Sequence, residues 1–491
     1  MINKNNYIVA IDQGSTSTRT VIYDHKLNLI NSSQRKTKEI YPDNGWVEQD
    51  PEEILITVRE TLIEAVNIPE INKENILSIG ITNQRESIVF WNKETLLPLS
   101  PAISWQCLRG IELCKNIKGS KLESIINKST GLKVDPYFSF SKIVWALKNI
   151  EALSDTENIC VGTIDSWLLT NLVEGNPHLT EITNASRTGL YNTEKEEWDD
   201  EILGLLNIPR SILPKVVQSN YNFGFLSKDI LGKKIPINSI LGDQQASLFG
   251  HKQDQLMEIK CTYGTGGFLL IDTGQERYDF NQNFLSTIAS KIDKKTTHAL
   301  EGSILSAGSL IEWLKNINIF ENNDQIEESL NQSEFTETLI IPALNGLGAP
   351  FWNAKIRASI ENINSSTSKH DILRAGFESV AFSTKSIIET IENTIDYKIR
   401  SIKIDGGLSQ SKFFNQFLSD LLSIEVKVAQ NSEMTSLGVA KLSLLKDSKV
   451  SKASKDYDDY NNFLPQKGSY KKINKKNNNW KNLINTKINK G

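Results

Sequence analysis

The first long apolar stretch, Ile8-Val9-Ala10-Ile11, is partly β-branched and unbroken by polar residues, which predicts a central strand buried on both faces. Asp12 stands at its exit, followed by Gln13-Gly14-Ser15-Thr16-Ser17-Thr18-Arg19 and a second predicted strand, TVIYD. DPEEILITVRETLIEAV predicts a helix with Asp50 as N-cap, Pro51 at the first helical position and acids in the first turn. Strands are predicted in ILSIGIT and SIVFW, separated by the polar knot NQRE. After about residue 248 the strand patterns HALEG, TLIIPAL and IKIDGG alternate with a helix in ILRAGFESVAFSTKSIIETIENT, where Leu373, Phe377, Val380, Ile387 and Ile391 keep approximate helical spacing. The alternation predicts two similar α/β halves with mixed sheets, facing one another across a ligand cleft. No short tandem repeat is present, and the Lys- and Asn-rich tail KKINKKNNNWKNLINTKINKG predicts a solvated helix or a frayed end.

Length and charge narrow the function classes. At 491 residues the chain is too long for one ordinary core, which predicts two domains. The formal net charge of -4 argues against a general nucleic-acid binder. No apolar run reaches membrane-spanning length, and the start MINKNNYIVA lacks a secretory layout, so neither membrane insertion nor export is expected and a cytoplasmic location is. Cys107, Cys114, Cys160 and Cys261 form no CxxC pair and no zinc-like grouping with the five histidines, which predicts buried free thiols.

Three turns carry candidate phosphate chemistry. The small residues after Asp12 suit either a polar hairpin or a phosphate clamp, in which backbone N–H groups and hydroxyls face outward and Arg19 adds positive charge. TYGTGG (262–267) and DGG (405–407) each follow or end a predicted strand, where glycine permits close backbone approach to a ligand. The chain has no GxxxxGK[ST] loop; the signal is the three turns together, spread over both halves. That layout resembles the actin, chaperone ATPase and sugar kinase superfamily, which implies two actin-like (ribonuclease H-like) ATPase domains around a central cleft. Under the same resemblance Asp12 holds magnesium through water, an ion that gives up its hydration reluctantly.

Other positions suit a polyol. Arg85 and Glu86 are adjacent at a strand end, either as a surface ion pair or as a grip on neighbouring hydroxyls. Trp105 and Tyr137 are either core or the wall of a pocket. Asp243, followed by Gln244 and Gln245, comes after the apolar stretch SILG, where it serves either as a helix N-cap or as a general base.

The segments AIDQGSTSTR, IYPDNGWVEQDPEEI, GITNQRES, AISWQC, GLKVDPYFS, TNASRTGLYN, GDQQASLFG, TYGTGGF, LEGSILSAG, GLGAPFW and DGG occur in that order over nearly the whole chain. They resemble the FGGY carbohydrate kinase family, and NQRE, DPYFS and GDQQA resemble its glycerol branch more than its xylulose or gluconate branches. The resemblance implies ATP-dependent phosphorylation of glycerol. It carries glycerol contacts onto Arg85, Glu86, Trp105, Tyr137, Asp243, Gln244 and Phe268, with Asp243 as proton acceptor and, with Asp12, a water-mediated magnesium ligand. Phosphate contacts fall on Ser15, Thr16, Ser17 and Arg19, and nucleoside-side contacts on Thr265, Gly266, Gly308, Glu312, Gly407 and Ser411. It implies a division at 1–248 for glycerol and the terminal phosphates and 249–491 for adenosine, and assembly as a homodimer or homotetramer. Glu312 replaces a frequent glutamine and Ser411 a frequent asparagine, which bears on base preference, and RASIENINSSTSKHD departs from the family at a region of regulation or subunit contact. The alternatives are a kinase for another small polyol or ketose, and a nucleotide-dependent binding protein without transfer.

Overall fold

Two mixed sheets organise the chain, and both are built on one strand order. The computed structural model describes residues 6–251, 257, 259–279, 283–333, 335–431, 433–446, 460–466, 468 and 470–490; the start of MINKNNYIVA and the terminal Gly491 lie outside the described residues. In the first sheet Gly224–Phe225, Pro236–Gly242, Ile76–Asn83, Tyr7–Gln13, Ser17–Asp24 and Leu29–Lys36 lie side by side. Tyr7–Gln13 pairs antiparallel with Ser17–Asp24 and parallel with Ile76–Asn83, which in turn runs parallel to Pro236–Gly242. In the second sheet Ile259–Tyr263 pairs antiparallel with Gly267–Gly274 and parallel with Ser401–Gly406, which runs parallel to Glu425–Ala429. The expected pair of similar α/β halves is therefore present at the level of topology.

The unbroken apolar run at the start is explained by cover on both faces. Val9 and Ile11 join a cluster with Ile54, Val58 and Leu62 of the helix Pro51–Val66. Ile8 and Ala10 join another with Ala246 of the helix Asp243–His251 and Leu437, Val439 and Ala440 of the helix Met434–Leu445. Those two helices cross with backbones almost touching: a Cβ added at Gly438 would come within 1.9 Å of the Ala246 carbonyl oxygen, and one at Gly250 within 2.2 Å of that of Met434.

The Pro51–Val66 helix begins as predicted, with the Asp50 carboxylate accepting from the Glu52 N–H at 2.9 Å. SIVFW forms the strand Ile88–Asn92, but in a separate four-stranded sheet with Glu48–Gln49, Ala102–Ile103 and Ile159–Thr163. Gln84, Arg85, Glu86 and Ser87 consequently cross from one sheet to another inside the protein, and all four are buried.

The tail departs from expectation. Tyr470–Lys490 is a helix that docks rather than a solvated or frayed end: Trp480 and Ile484 are fully buried, Ile473 nearly so, and the Trp480 indole N–H donates to the Ile340 carbonyl at 2.8 Å. Lys476 lies buried against Glu378. Positions 473, 476, 477, 480 and 484 form one helical stripe that the abundance of Lys and Asn conceals. All four cysteines are buried and unpaired, and among the described residues no helix is long and apolar enough to cross a membrane.

Candidate active site

The first hairpin ends both of its strands in polar groups. Asp12 sits directly across the antiparallel ladder from Arg19. The turn closes with the Gly14 N–H donating to the Ser17 carbonyl at 2.9 Å, while the N–H groups of Ser15 and Thr16 have no partner among the described residues. The Ser15 carbonyl is fixed by the Gln49 amide at 2.6 Å and the Thr37 hydroxyl at 3.0 Å, and the Ser17 hydroxyl accepts from Gln34 at 3.0 Å. The hairpin is thus held from its carbonyl side and leaves donors open, the arrangement an anion needs.

The corresponding turn of the second sheet, Gly264-Thr265-Gly266, is held the same way. Its Gly264 and Thr265 carbonyls accept from the N–H groups of Gly308, Ala307 and Ser309 at 2.9–3.1 Å, at the start of the helix Gly308–Asn316. A side chain at Gly308 would meet the Gly264 oxygen at 2.5 Å. Gly406 has φ +90 and lies so near Tyr263 that a Cβ would come within 2.4 Å of its carbonyl oxygen, with Gly407 following. Two expected nucleoside residues make no hydrogen bond or ion pair with the rest of the site. Glu312 is exposed on the Gly308–Asn316 helix, and the Ser411 hydroxyl caps the helix Lys412–Leu422 by accepting from the Phe414 N–H at 3.2 Å.

The acceptor-side residues do come together. Asp243 opens its helix, and its Oδ1 accepts from the Gln244 N–H at 2.7 Å and faces Arg85 Nε at 3.2 Å. Asp243 is thus the first residue of the helix Asp243–His251, with Oδ1 engaged by the next N–H and Oδ2 without a hydrogen bond among the described residues. Arg85 and Glu86 are buried, which removes the surface-pair alternative. Glu86 has φ +61, a left-handed backbone unusual outside glycine, in the segment that passes between the two sheets. Trp105 packs edge-on to Tyr137 with centroids 5.6 Å apart and to Phe268 at 6.4 Å, all three half-buried, as an apolar wall. The Trp105 indole N–H donates to the Ser15 hydroxyl at 2.8 Å, joining this wall to the first hairpin. Gln244 Oε1 accepts from Lys260 Nζ at 2.8 Å.

Five residues that belong to this cluster carried no individual role in the sequence: Arg187, Glu301, Gln245, Lys260 and Glu433. Glu301 takes both arginines, Arg85 at 2.7 Å and Arg187 at 3.0 Å. Gln245 accepts from Arg85 at 3.1 Å, and Glu433 pairs with Arg19 at 2.6 Å. A signal was available for two of them, because Glu301 follows Ala299 and Leu300 in its strand and Lys260 stands between Ile259 and Cys261, charged residues beside apolar neighbours.

Burial sets the electrostatics. It pushes the Asp12 carboxyl up to about 8, helped by the nearby Asp243 and Glu433 and opposed by Arg19. Burial also raises Asp243 and Glu86, each against the pull of neighbouring arginines. Glu301 goes the other way: burial would raise it, but Arg187 and Arg85 together hold it down to about 2. An excess of carboxylate at Asp12, with open N–H donors one turn away, fits a hard cation and a phosphate chain arriving together.

Residues 7–250 match the N-terminal domain, and residues 259–445 the C-terminal domain, of the FGGY family of carbohydrate kinases. The chain is 40% identical over 441 residues to glycerol kinase 2 of Thermotoga maritima, and 42% identical over 444 residues to a glycerol kinase of a Thermoanaerobacter species, in each case covering 89% of both chains. A crystal structure of Plasmodium falciparum glycerol kinase with ADP superposes with a TM-score of 0.89 at 31% identity, over 98% of both chains. A ligand-bound xylulose kinase from Lactobacillus acidophilus, at 22% identity and a TM-score of 0.87, shares the fold. The turns with open N–H donors, the repeated sheet topology and these likenesses agree: this chain belongs to the FGGY family of carbohydrate kinases.

Proposed function

We propose that the chain transfers the γ-phosphoryl group of ATP to a terminal hydroxyl of glycerol, giving sn-glycerol 3-phosphate and ADP. The observation that carries this reading is the buried Arg85 and Glu86 with the half-buried Asp243 beside an aromatic wall, next to a hairpin with unengaged N–H donors. Arg85, Glu86 and Tyr137 orient two hydroxyls while Trp105 and Phe268 pack the carbon side. The third hydroxyl faces Asp243, which takes its proton as the oxygen attacks the γ-phosphorus and the bond to the bridging oxygen of ADP breaks. Raised by burial, Asp243 is a stronger base than an exposed aspartate. Ser15, Thr16, Ser17 and Arg19 receive the terminal phosphates, and Thr265, Gly266, Gly308, Glu312, Gly407 and Ser411 line the nucleoside side.

In this reading residues 1–248 supply the acceptor and terminal-phosphate contacts and residues 249–491 the adenosine contacts. Magnesium accompanies ATP. Asp12, with Asp243 nearby, would hold it through water, and its charge there would offset that of the phosphates. Among the described residues no cluster of three metal-ligating side chains exists, which fits an ion carried mainly by substrate oxygens and water. A cytoplasmic enzyme acting as a homodimer or homotetramer completes the reading.

The test is ADP release with ATP and magnesium in the presence of glycerol, erythritol, dihydroxyacetone, xylulose or no acceptor. Strong glycerol-dependent release is expected. Turnover confined to a larger acceptor would replace the substrate, and none with any acceptor would remove the kinase reading.

A further inference from the structure

One buried carboxylate beside the acceptor residues has no part in the transfer chemistry. Glu301 lies in the strand Lys295–Ile304 of the second sheet, in the segment that matches the C-terminal family domain, yet its partners come from the N-terminal one. Its Oε2 accepts from Arg85 Nη1 at 2.7 Å, and its Oε1 accepts from Arg85 Nη2 at 3.2 Å and Arg187 Nη2 at 3.0 Å. Arg187 Nε donates to Glu86 Oε1 at 2.5 Å, and Arg85 Nε faces Asp243 Oδ1 at 3.2 Å.

These contacts form a chain of alternating charge, Glu86, Arg187, Glu301, Arg85, Asp243, with Arg85 Nε also 4.0 Å from Glu86 Oε1. Its two ends are the carboxylates assigned to the acceptor, and its centre is the one member from the second sheet. Each end keeps an oxygen, Glu86 Oε2 and Asp243 Oδ2, with no protein partner among the described residues. Arg187 Nη1 is buried without a partner among them. An unmet buried donor is costly, so this network is not arranged for stability alone.

We propose that Glu301 is a positioning residue for the acceptor: it gathers Arg85 and Arg187 and through them fixes Asp243 and Glu86, so that the acceptor grip is complete only when both sheets contribute. The planar guanidinium forks make this geometric as well as electrostatic, because an arginine held at two of its nitrogens has little freedom at the third. Without Glu301, Arg85 turns its charge onto Asp243 and Glu86 and occupies the oxygens that the hydroxyls require. The inference rests on the kinase reading above but not on the identity of the acceptor.

Glu301→Gln, Glu301→Asp and Arg187→Lys test it, with the acceptor that the wild-type chain turns over; a substrate other than glycerol would correct the functional reading and leave this test in force. Glu301→Gln is expected to raise the acceptor KM about tenfold or more while the KM for ATP stays within about twofold. Glu301→Asp, which keeps the charge on a shorter stem, should recover the acceptor KM only in part, still without change in the KM for ATP. A folded Glu301→Gln protein with unchanged acceptor KM, or with both KM values rising together, would reduce Glu301 to a structural ion pair. If Glu301→Gln does not fold, Arg187→Lys decides: it keeps the charge but lacks the fork that joins Glu86 to Glu301, so an acceptor-specific rise in KM supports the proposal and an unchanged acceptor KM overturns it.

Discussion

In its proposed role Asp243 must be ionised to accept a proton; burial disfavours its charge, and Arg85 Nε at 3.2 Å is the foremost group opposing that effect. Asparagine would preserve the shape and the contacts to Arg85 and the Gln244 N–H but could not take a proton. Asp243→Asn should therefore lower kcat by about 100- to 10,000-fold with little change in acceptor KM, as steady-state kinetics would read; near-wild-type turnover would remove the proton-acceptor role. Arg85→Ala should raise the acceptor KM and also destabilise the fold by about 3–5 kcal/mol, because Glu301 loses its two-pronged partner in a dry site. Thermal melts and KM read the two effects separately. Glu301 gives a pH signature as well. Its folded pKa lies near 2, below the ordinary 4.5, so it stabilises the protein above pH 4.5 and that contribution is lost as pH falls from there through about 2. The loss is on the order of 3 kcal/mol, and Glu301→Gln should flatten this acid part of the stability curve; an unchanged slope would contradict the depressed value.

Among elements, the turns are where backbone geometry is most constrained. Gly406 combines φ +90 with a 2.4 Å approach of any Cβ to the Tyr263 carbonyl, so Gly406→Ala should cost about 1–3 kcal/mol and weaken nucleotide binding, as melts and ADP titration would show. A variant of wild-type stability and affinity would mean that the turn relaxes freely. Local pattern made much of this level legible: the strand at Ile8–Ile11, the capped helix at Asp50–Pro51 and the three turns all follow from short-range chemistry that tertiary contacts reinforce. Arg85, Glu86, Trp105 and Tyr137 could be singled out, but residues alone left open whether each was core, surface or site. For Arg85 and Glu86 the surface alternative is removed only by the crossing of the NQRE segment between two sheets, which buries both. Arg187 and Glu301 stayed without a role because their chemistry lies in mutual contact across 114 residues, which no local window contains. The tail helix was misread for another reason: lysine and asparagine report composition, whereas Ile473, Trp480 and Ile484 report the face. Trp480→Ala should cost about 3–5 kcal/mol, visible as a lower Tm, whereas a solvated helix would tolerate it.

Over the whole molecule, the boundary between the two family domains in sequence is not a boundary in the core. The cluster that covers one face of the first sheet joins Ile8, Ala10, Val21, Tyr23 and Leu241 to Met434, Leu437, Val439, Ala440, Leu442 and Leu444. Residues 1–250 produced alone should therefore expose that face, bind a hydrophobic dye such as ANS and lack a cooperative melt; a sharply melting, dye-free fragment would show that the first half folds without its cover. The helix crossing at Gly250 and Gly438, where backbones approach too closely for any side chain, is the last piece of this cover. On a ribosome adding roughly 5–20 residues per second, the 195 residues between positions 250 and 445 take about 10–40 s to appear. For that interval the nascent first half carries an uncovered apolar sheet, a window in which a holdase chaperone would decide between a finished protein and an aggregate.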